Sequence, residues 1–98
     1  MPGPIERKTI ETNLIQKGFR RKDSHHKYFH HVYNGQETGI CTYTSHGSNY
    51  KDYGISLLGR MKKELRLDRI QDVANLFNCP MDGNDYNDIL RSKNLIRD

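Results

Sequence analysis

The chain has 98 residues, 34% of them apolar and none of them tryptophan, and a formal charge of +4. That length holds one domain with a modest core, which excludes a large enzyme with its own lid domain. No apolar run approaches bilayer length, and the start, Met1-Pro2-Gly3-Pro4, leads into charge, so neither a membrane span nor an export signal is expected and the expected location is the cytoplasm.

Pro4 followed by Ile5 to Lys17 reads as a first helix, with Ile10 and Leu14 at helical spacing and Gly18 as its stop. Phe19-Arg20-Arg21 reads as a short extended piece. His25 to Tyr33 is rich in aromatic residues and reads as a strand, Asn34-Gly35 as a hairpin turn, and Thr38 to Thr44 as the returning strand. Ser45 to Gly54, with Gly47, Ser48 and Asn49, is expected to be a loop. Ile55 to Leu65 reads as a second helix with Leu57, Leu58, Met61 and Leu65 on one face.

The last 31 residues change character. Asp68 to Gln71 has the form of a helix cap, and Ile70, Val73, Leu76 and Phe77 follow at helical spacing. Cys79-Pro80 breaks the chain, and Asp82 caps a final helix that uses Tyr86, Ile89 and Leu90. The expected fold class is α+β, with helices on one face of a small antiparallel sheet and the other face left open as the natural binding surface. Residues 1–67 are expected to form the main domain. Residues 68–98 are expected to be a two-helix extension, packed on that domain or serving as a docking surface.

Charge follows the same division. Residues 1–67 carry 12 Lys/Arg against 6 Asp/Glu and all five histidines, whereas residues 68–98 carry 4 against 6. A basic segment with clustered histidine points to a polyanionic partner, most simply nucleic acid, although solubility alone accounts for many such charges.

The five histidines and Cys41 also invite a metal reading. Two ligands on one strand face need a spacing of two, which no histidine pair here has. His26 and His30 share a face but stand roughly 13 Å apart at strand rise. Asp82, Asp85 and Asp88 suit helix capping better than a divalent ion. Cys41 and Cys79 match no ligand or redox spacing and are expected to be reduced. No metal or cofactor is expected.

The most specific stretch is Lys22-Asp23-Ser24-His25-His26-Lys27-Tyr28, followed twenty residues after His26 by Ser45-His46-Gly47. With Gly18-Phe19, Asn34-Gly35 and the helix after Gly54, this ordered series resembles the HicA (YcfA-like) family of toxins over roughly residues 5–67. Asp23 stands where that family usually has glycine, and Ser45 where it often has arginine. The resemblance implies a fold like that of double-stranded-RNA-binding domains, in the order α-β-β-β-α, here with a C-terminal helical extension. It implies metal-independent cleavage of mRNA and inhibition by a HicB-like antitoxin protein. It assigns the catalytic histidine to His26, in the Ser24-His25-His26 segment.

The residues themselves suit that chemistry. RNA carries its own nucleophile in the 2′-hydroxyl, so an enzyme needs only proton-transfer groups and cations. Histidine titrates near working pH. His26 is the leading candidate, His25 its neighbour, and His46 a second proton-transfer or phosphate group if its loop folds back to the strand start. Ser24, Lys27, Arg20, Arg21, Lys22 and Lys51 are candidate RNA contacts, and Arg60, Lys62 and Lys63 on the second helix are weaker ones. Strand alternation puts His26, Tyr28 and His30 on one face and His25, Lys27, Phe29 and His31 on the other, without saying which meets RNA. Two readings compete: a non-catalytic RNA-binding module that uses the same fold and charge, and an interaction domain whose acidic C-terminal helices receive a partner.

Overall fold

The computed structural model describes residues 3–47, 51–78 and 80–97. Ser48 and Asn49 of the expected loop, and Cys79 of the expected break, lie outside the described residues. The elements run β1 (Ile5–Glu6), α1 (Arg7–Gln16), β2 (Phe19–Asp23), β3 (Lys27–Tyr33), β4 (Gln36–Thr44), β5 (Asp52–Tyr53), α2 (Ile55–Glu64), α3 (Ile70–Phe77) and α4 (Gly83–Ser92). The protein is therefore mixed α+β, with a three-stranded antiparallel sheet in the order β2-β3-β4 and, among the described residues, four helices. No helix among the described residues is long and apolar enough to cross a membrane.

The first helix starts two residues later than the proline signal suggests. Ile5 pairs with Tyr53 and Glu6 with Asp52 in a short antiparallel bridge. That bridge buries Ile5 and Tyr53, and the gain holds Ile5 and Glu6 extended against their helical spacing. It also gives structure to part of the segment expected to be loop. Gly18, with φ +100°, ends α1, and its carbonyl accepts from the Val32 amide at 3.0 Å, tying the helix stop to the sheet.

Asn34 and Gly35 both have positive φ, 52° and 78°, as a two-residue hairpin turn of the primed type requires. The β3–β4 register then shifts. Val32 pairs with Glu37 but His30 pairs with Cys41, so one residue of β3, His31, faces three of β4, Thr38, Gly39 and Ile40. Gly39, at φ 89°, lies in the extra stretch. Because the slip is by two, alternation survives, and Tyr28, His30, Cys41 and Tyr43 stay on one face.

The opposite face packs on the helices. Phe29, His31, Ile40, Thr42 and Thr44 are buried there, together with Leu58, Met61 and Leu65 of the second helix region. His31, like Thr42 and Thr44, is a buried polar group on this face, and its partners resolve it. Its Nδ1 lies 2.9 Å from the Thr38 hydroxyl and its Nε2 2.9 Å from Asn87 Oδ1 on α4. Phe19 and Tyr86 flank its ring, each with centroids 5.2 Å away. Burial pushes the His31 imidazole below its ordinary pKa, opposed by the hydrogen bond to Asn87, so the ring is kept neutral.

The two C-terminal helices complete the same core. α3 lies against both α1 and α2, and the side chains of Asn13 and Lys17 donate to carbonyls at its end, from Phe77 and from Leu76 and Asn78. Val73, Ala74, Leu76, Phe77, Met81, Tyr86, Leu90 and Ile96 are buried with the residues of the first part. The Tyr86 hydroxyl donates to the Leu65 carbonyl at 2.7 Å. Gly83 lies so close to α1 that a Cβ there would meet the Lys17 carbonyl oxygen at 2.9 Å. Asp82 caps α4 in a reciprocal box with Asp85. The expected Asp68 cap is not made: the N-cap of α3 is Arg69, and Asp68 instead pairs with Lys93 at 2.6 Å, because that ammonium is a stronger partner than a backbone amide.

Candidate functional site at the β2–β3 turn

Ser24, His25 and His26 form the turn between β2 and β3, not the opening of a strand, since Asp23 and Lys27 are the last paired residues. The Ser24 amide donates to the His26 carbonyl at 2.9 Å and closes the turn. Asp23 is extended and takes no positive φ, so the glycine usual in the resembling family is not required here. It pairs with Arg21 at 2.7 Å, and that hydrogen bond holds the Asp23 carboxyl below its ordinary pKa.

His46 comes to this turn from the end of β4. Its Nε2 lies 3.1 Å from the Ser24 carbonyl oxygen. Arg7, at the start of α1, fixes the approach: its guanidinium donates to the Ser45 carbonyl at 3.1 Å and to the Gly47 carbonyl, and its Nε pairs with Glu11 at 3.8 Å. The Ser45 amide is in turn bound by the Tyr53 hydroxyl at 3.0 Å. The β1–β5 bridge thus anchors both ends of the loop that carries His46.

His26 is half-buried and stacks on Tyr43, centroids 4.7 Å apart with an interplanar angle of 23°. Tyr28 meets the His26 ring edge-on at 6.0 Å and lies 5.7 Å from Tyr43. Arg60 of α2 reaches round the β4 edge, its guanidinium carbon 3.8 Å from the Tyr43 centroid. Glu64, 2.7 Å from Arg60, keeps it there. Neither ring nitrogen of His26 is hydrogen-bonded among the described residues. His25 stands exposed at the turn.

The candidate RNA contacts divide. Arg20 and Lys22 share the open face with His30 and Tyr28, their cross-strand partners. Arg21 is engaged by Asp23 at the sheet edge. Lys27 points the other way, and its ammonium lies 3.4 Å from the buried Glu11 carboxylate, which also accepts from Thr44 at 2.6 Å. Lys27 is thus placed as a structural counter-ion rather than as a contact for RNA on the open face. Lys51 is exposed and lines a hollow with Glu6, Arg7 and Lys8.

Sequence reasoning missed Tyr43 and Arg7 as members of this region. Tyr43 was legible in principle: its partner across the hairpin follows once Gly39 is read as a bulge. Arg7 left a fainter signal, as a cation in the first helical turn that the helix dipole disfavours. Among the described residues no group of three or more His, Cys, Asp or Glu side chains is placed to hold a metal ion. Scans against protein-family models, curated proteins and solved structures find no match to this chain.

Proposed function

We propose that this chain is a small metal-independent endoribonuclease of the HicA type, with the β2–β3 turn as its active corner. The observation that carries the reading is the meeting of His46 with the Ser24-His25-His26 turn, two histidine-bearing segments brought together across the fold. His26 acts as the proton-transfer group on the open side, and His46 as the second one. The base removes the 2′-hydroxyl proton, the 2′-oxygen bonds to phosphorus, and the bond to the 5′-oxygen breaks as the acid protonates it. The products are a 2′,3′-cyclic phosphate and a 5′-hydroxyl end. The Arg7 guanidinium, paired with Glu11 and donating to the Ser45 and Gly47 carbonyls, holds the His46 segment against this turn.

The series α1, β2, β3, β4, α2, with both helices on one side of the sheet, supports a fold of the double-stranded-RNA-binding type. By the same resemblance, mRNA is the substrate and a HicB-like antitoxin the partner. The test is cleavage of one structured and one unstructured RNA in EDTA by wild type and His26→Ala. Wild-type cleavage lost in the variant is the expected result. The stacking of His26 on Tyr43 favours a second reading, in which the surface binds RNA without cutting it; equal RNA binding by both proteins and no product from either selects that one.

A further inference from the structure

The open face of the sheet holds a second cluster. On it, Arg20, Lys22 and His30 converge on a single carboxylate. Glu37 Oε2 lies 2.7 Å from Lys22 Nζ and 3.3 Å from Arg20 Nη1, and Glu37 Oε1 lies 3.7 Å from His30 Nδ1. The register shift in β4 sets Glu37 opposite Val32 and so leaves it at the end of this row. Two cations around one small anion, with an imidazole alongside, are what a phosphate needs. The two cations are exposed, with side-chain exposures of 53% for Arg20 and 54% for Lys22, while Glu37 at 29% and His30 at 27% are part-exposed, so water screens the ion pairs and an incoming anion can displace the carboxylate.

Beside this cluster runs the aromatic row. Tyr28 is the cross-strand partner of Lys22, and the row continues through Tyr43 to His26. Half-exposed rings next to backbone-binding cations are the arrangement that takes unpaired bases, since each base offers a π-face. A duplex hides those faces. The helical side of the molecule offers less, because α3 lies across α1 and α2 there.

We propose that the open sheet face is a track for single-stranded RNA, with a backbone phosphate taking the place that the Glu37 carboxylate now holds and an unpaired base stacking on Tyr28. It rests on the ribonuclease reading in placing the track next to His26, and it names the substrate class of that site. Glu37 acts as an internal competitor: it keeps Arg20 and Lys22 oriented when no strand is bound and lowers affinity for strands that offer no base to the rings.

The test uses the full chain and a short 2′-O-methyl oligonucleotide, which cannot be cleaved by attack of its own hydroxyl. Binding is read by fluorescence anisotropy over a range of salt, for the single strand and for its duplex. Glu37→Gln, which removes the competing charge while keeping the shape, is expected to tighten single-strand binding by about threefold to tenfold. Lys22→Gln is expected to weaken it and to flatten the salt slope by about 0.7, the value for one lost single-strand phosphate contact. Tyr28→Ala is expected to cost about tenfold on the single strand. Unchanged binding in both Glu37→Gln and Tyr28→Ala overturns the proposal, and so does tighter binding of the duplex. The two readings separate cleanly. If RNA is cut in a His26-dependent way while these variants bind as wild type, the track is wrong and the ribonuclease stands. If nothing is cut while the variants shift binding as stated, the track stands alone.

Discussion

His30 and His31 are neighbours in the sequence and opposites in the structure. His31 faces the helices, buried and neutral, with both ring nitrogens engaged by Thr38 and Asn87. His30 faces outward, with Cys41 opposite it and Glu37 at 3.7 Å. The same division runs through the whole sheet. Inward residues have partners that belong to the fold: Thr42 donates to Glu64, Thr44 to Glu11, and Lys27 pairs with Glu11. Outward residues are held by exposed ion pairs and ring contacts that a ligand can replace. Of five histidines, then, the fold consumes one and leaves four at or near the open face and its turn. A histidine count by itself carries little functional information; the strand face decides.

The largest break in that comparison comes from removing what covers the inner face. Truncation after Leu67 deletes Val73, Leu76, Phe77, Tyr86 and Leu90 from the core and strips His31 of Asn87. No folded monomer is expected, as read by circular dichroism and gel filtration. A folded truncated chain would instead mark the last two helices as a docking appendage.

Lys27 sharpens the comparison next, because its sequence position beside His26 suggests RNA and its direction says core. Lys27→Met leaves Glu11, only 8% exposed, with Thr44 and Arg7 as partners. A loss of about 1–2 kcal/mol of stability is expected, the cost of weakening one largely buried pair. RNA affinity at a temperature where the variant is folded is expected to be unchanged. Lowered affinity with unchanged denaturant midpoint would reassign Lys27 to the binding surface.

The alternation of β3 was legible in the sequence because it is local: side chains on a strand point to opposite faces whatever the rest of the chain does. The Asn34-Gly35 turn and the Asp82 cap were legible for the same reason, since each is satisfied by residues within reach of the backbone it closes. The β1–β5 bridge was not, because it joins Ile5 to Tyr53 with two-residue strands too short for any periodicity. Nor were the Arg7 contacts to Ser45 and Gly47, which cross some forty positions of sequence. The meeting of His46 with Ser24 was conditional on that same loop folding back, so the sequence supplied the candidates and the long-range bridge supplied their geometry.

Two histidine tests with small effects separate the faces most sharply. Because burial lowers the His31 pKa in the folded chain, the unfolded chain takes up a proton there first as pH falls. The unfolded state then binds more protons, so stability declines as pH drops below about 6.5, by at most about 1.4 kcal/mol per pH unit for this one group. Urea midpoints measured between neutral and mildly acidic pH should show that decline in the wild type and a shallower one in His31→Gln. A slope untouched by His31→Gln would mean that the ring takes up its proton equally readily folded and unfolded, and that its burial costs the charged form nothing. His26→Ala is the counterpart with the least expected effect on stability. The ring it removes is half-buried and makes no hydrogen bond among the described residues, only the stack on Tyr43 and the edge contact with Tyr28, so stability should fall by no more than about 1 kcal/mol. A histidine that costs the fold so little is free to be spent on a ligand. A large loss of stability in His26→Ala would instead make the stacked pair a structural element and move the search for the reactive group to His46.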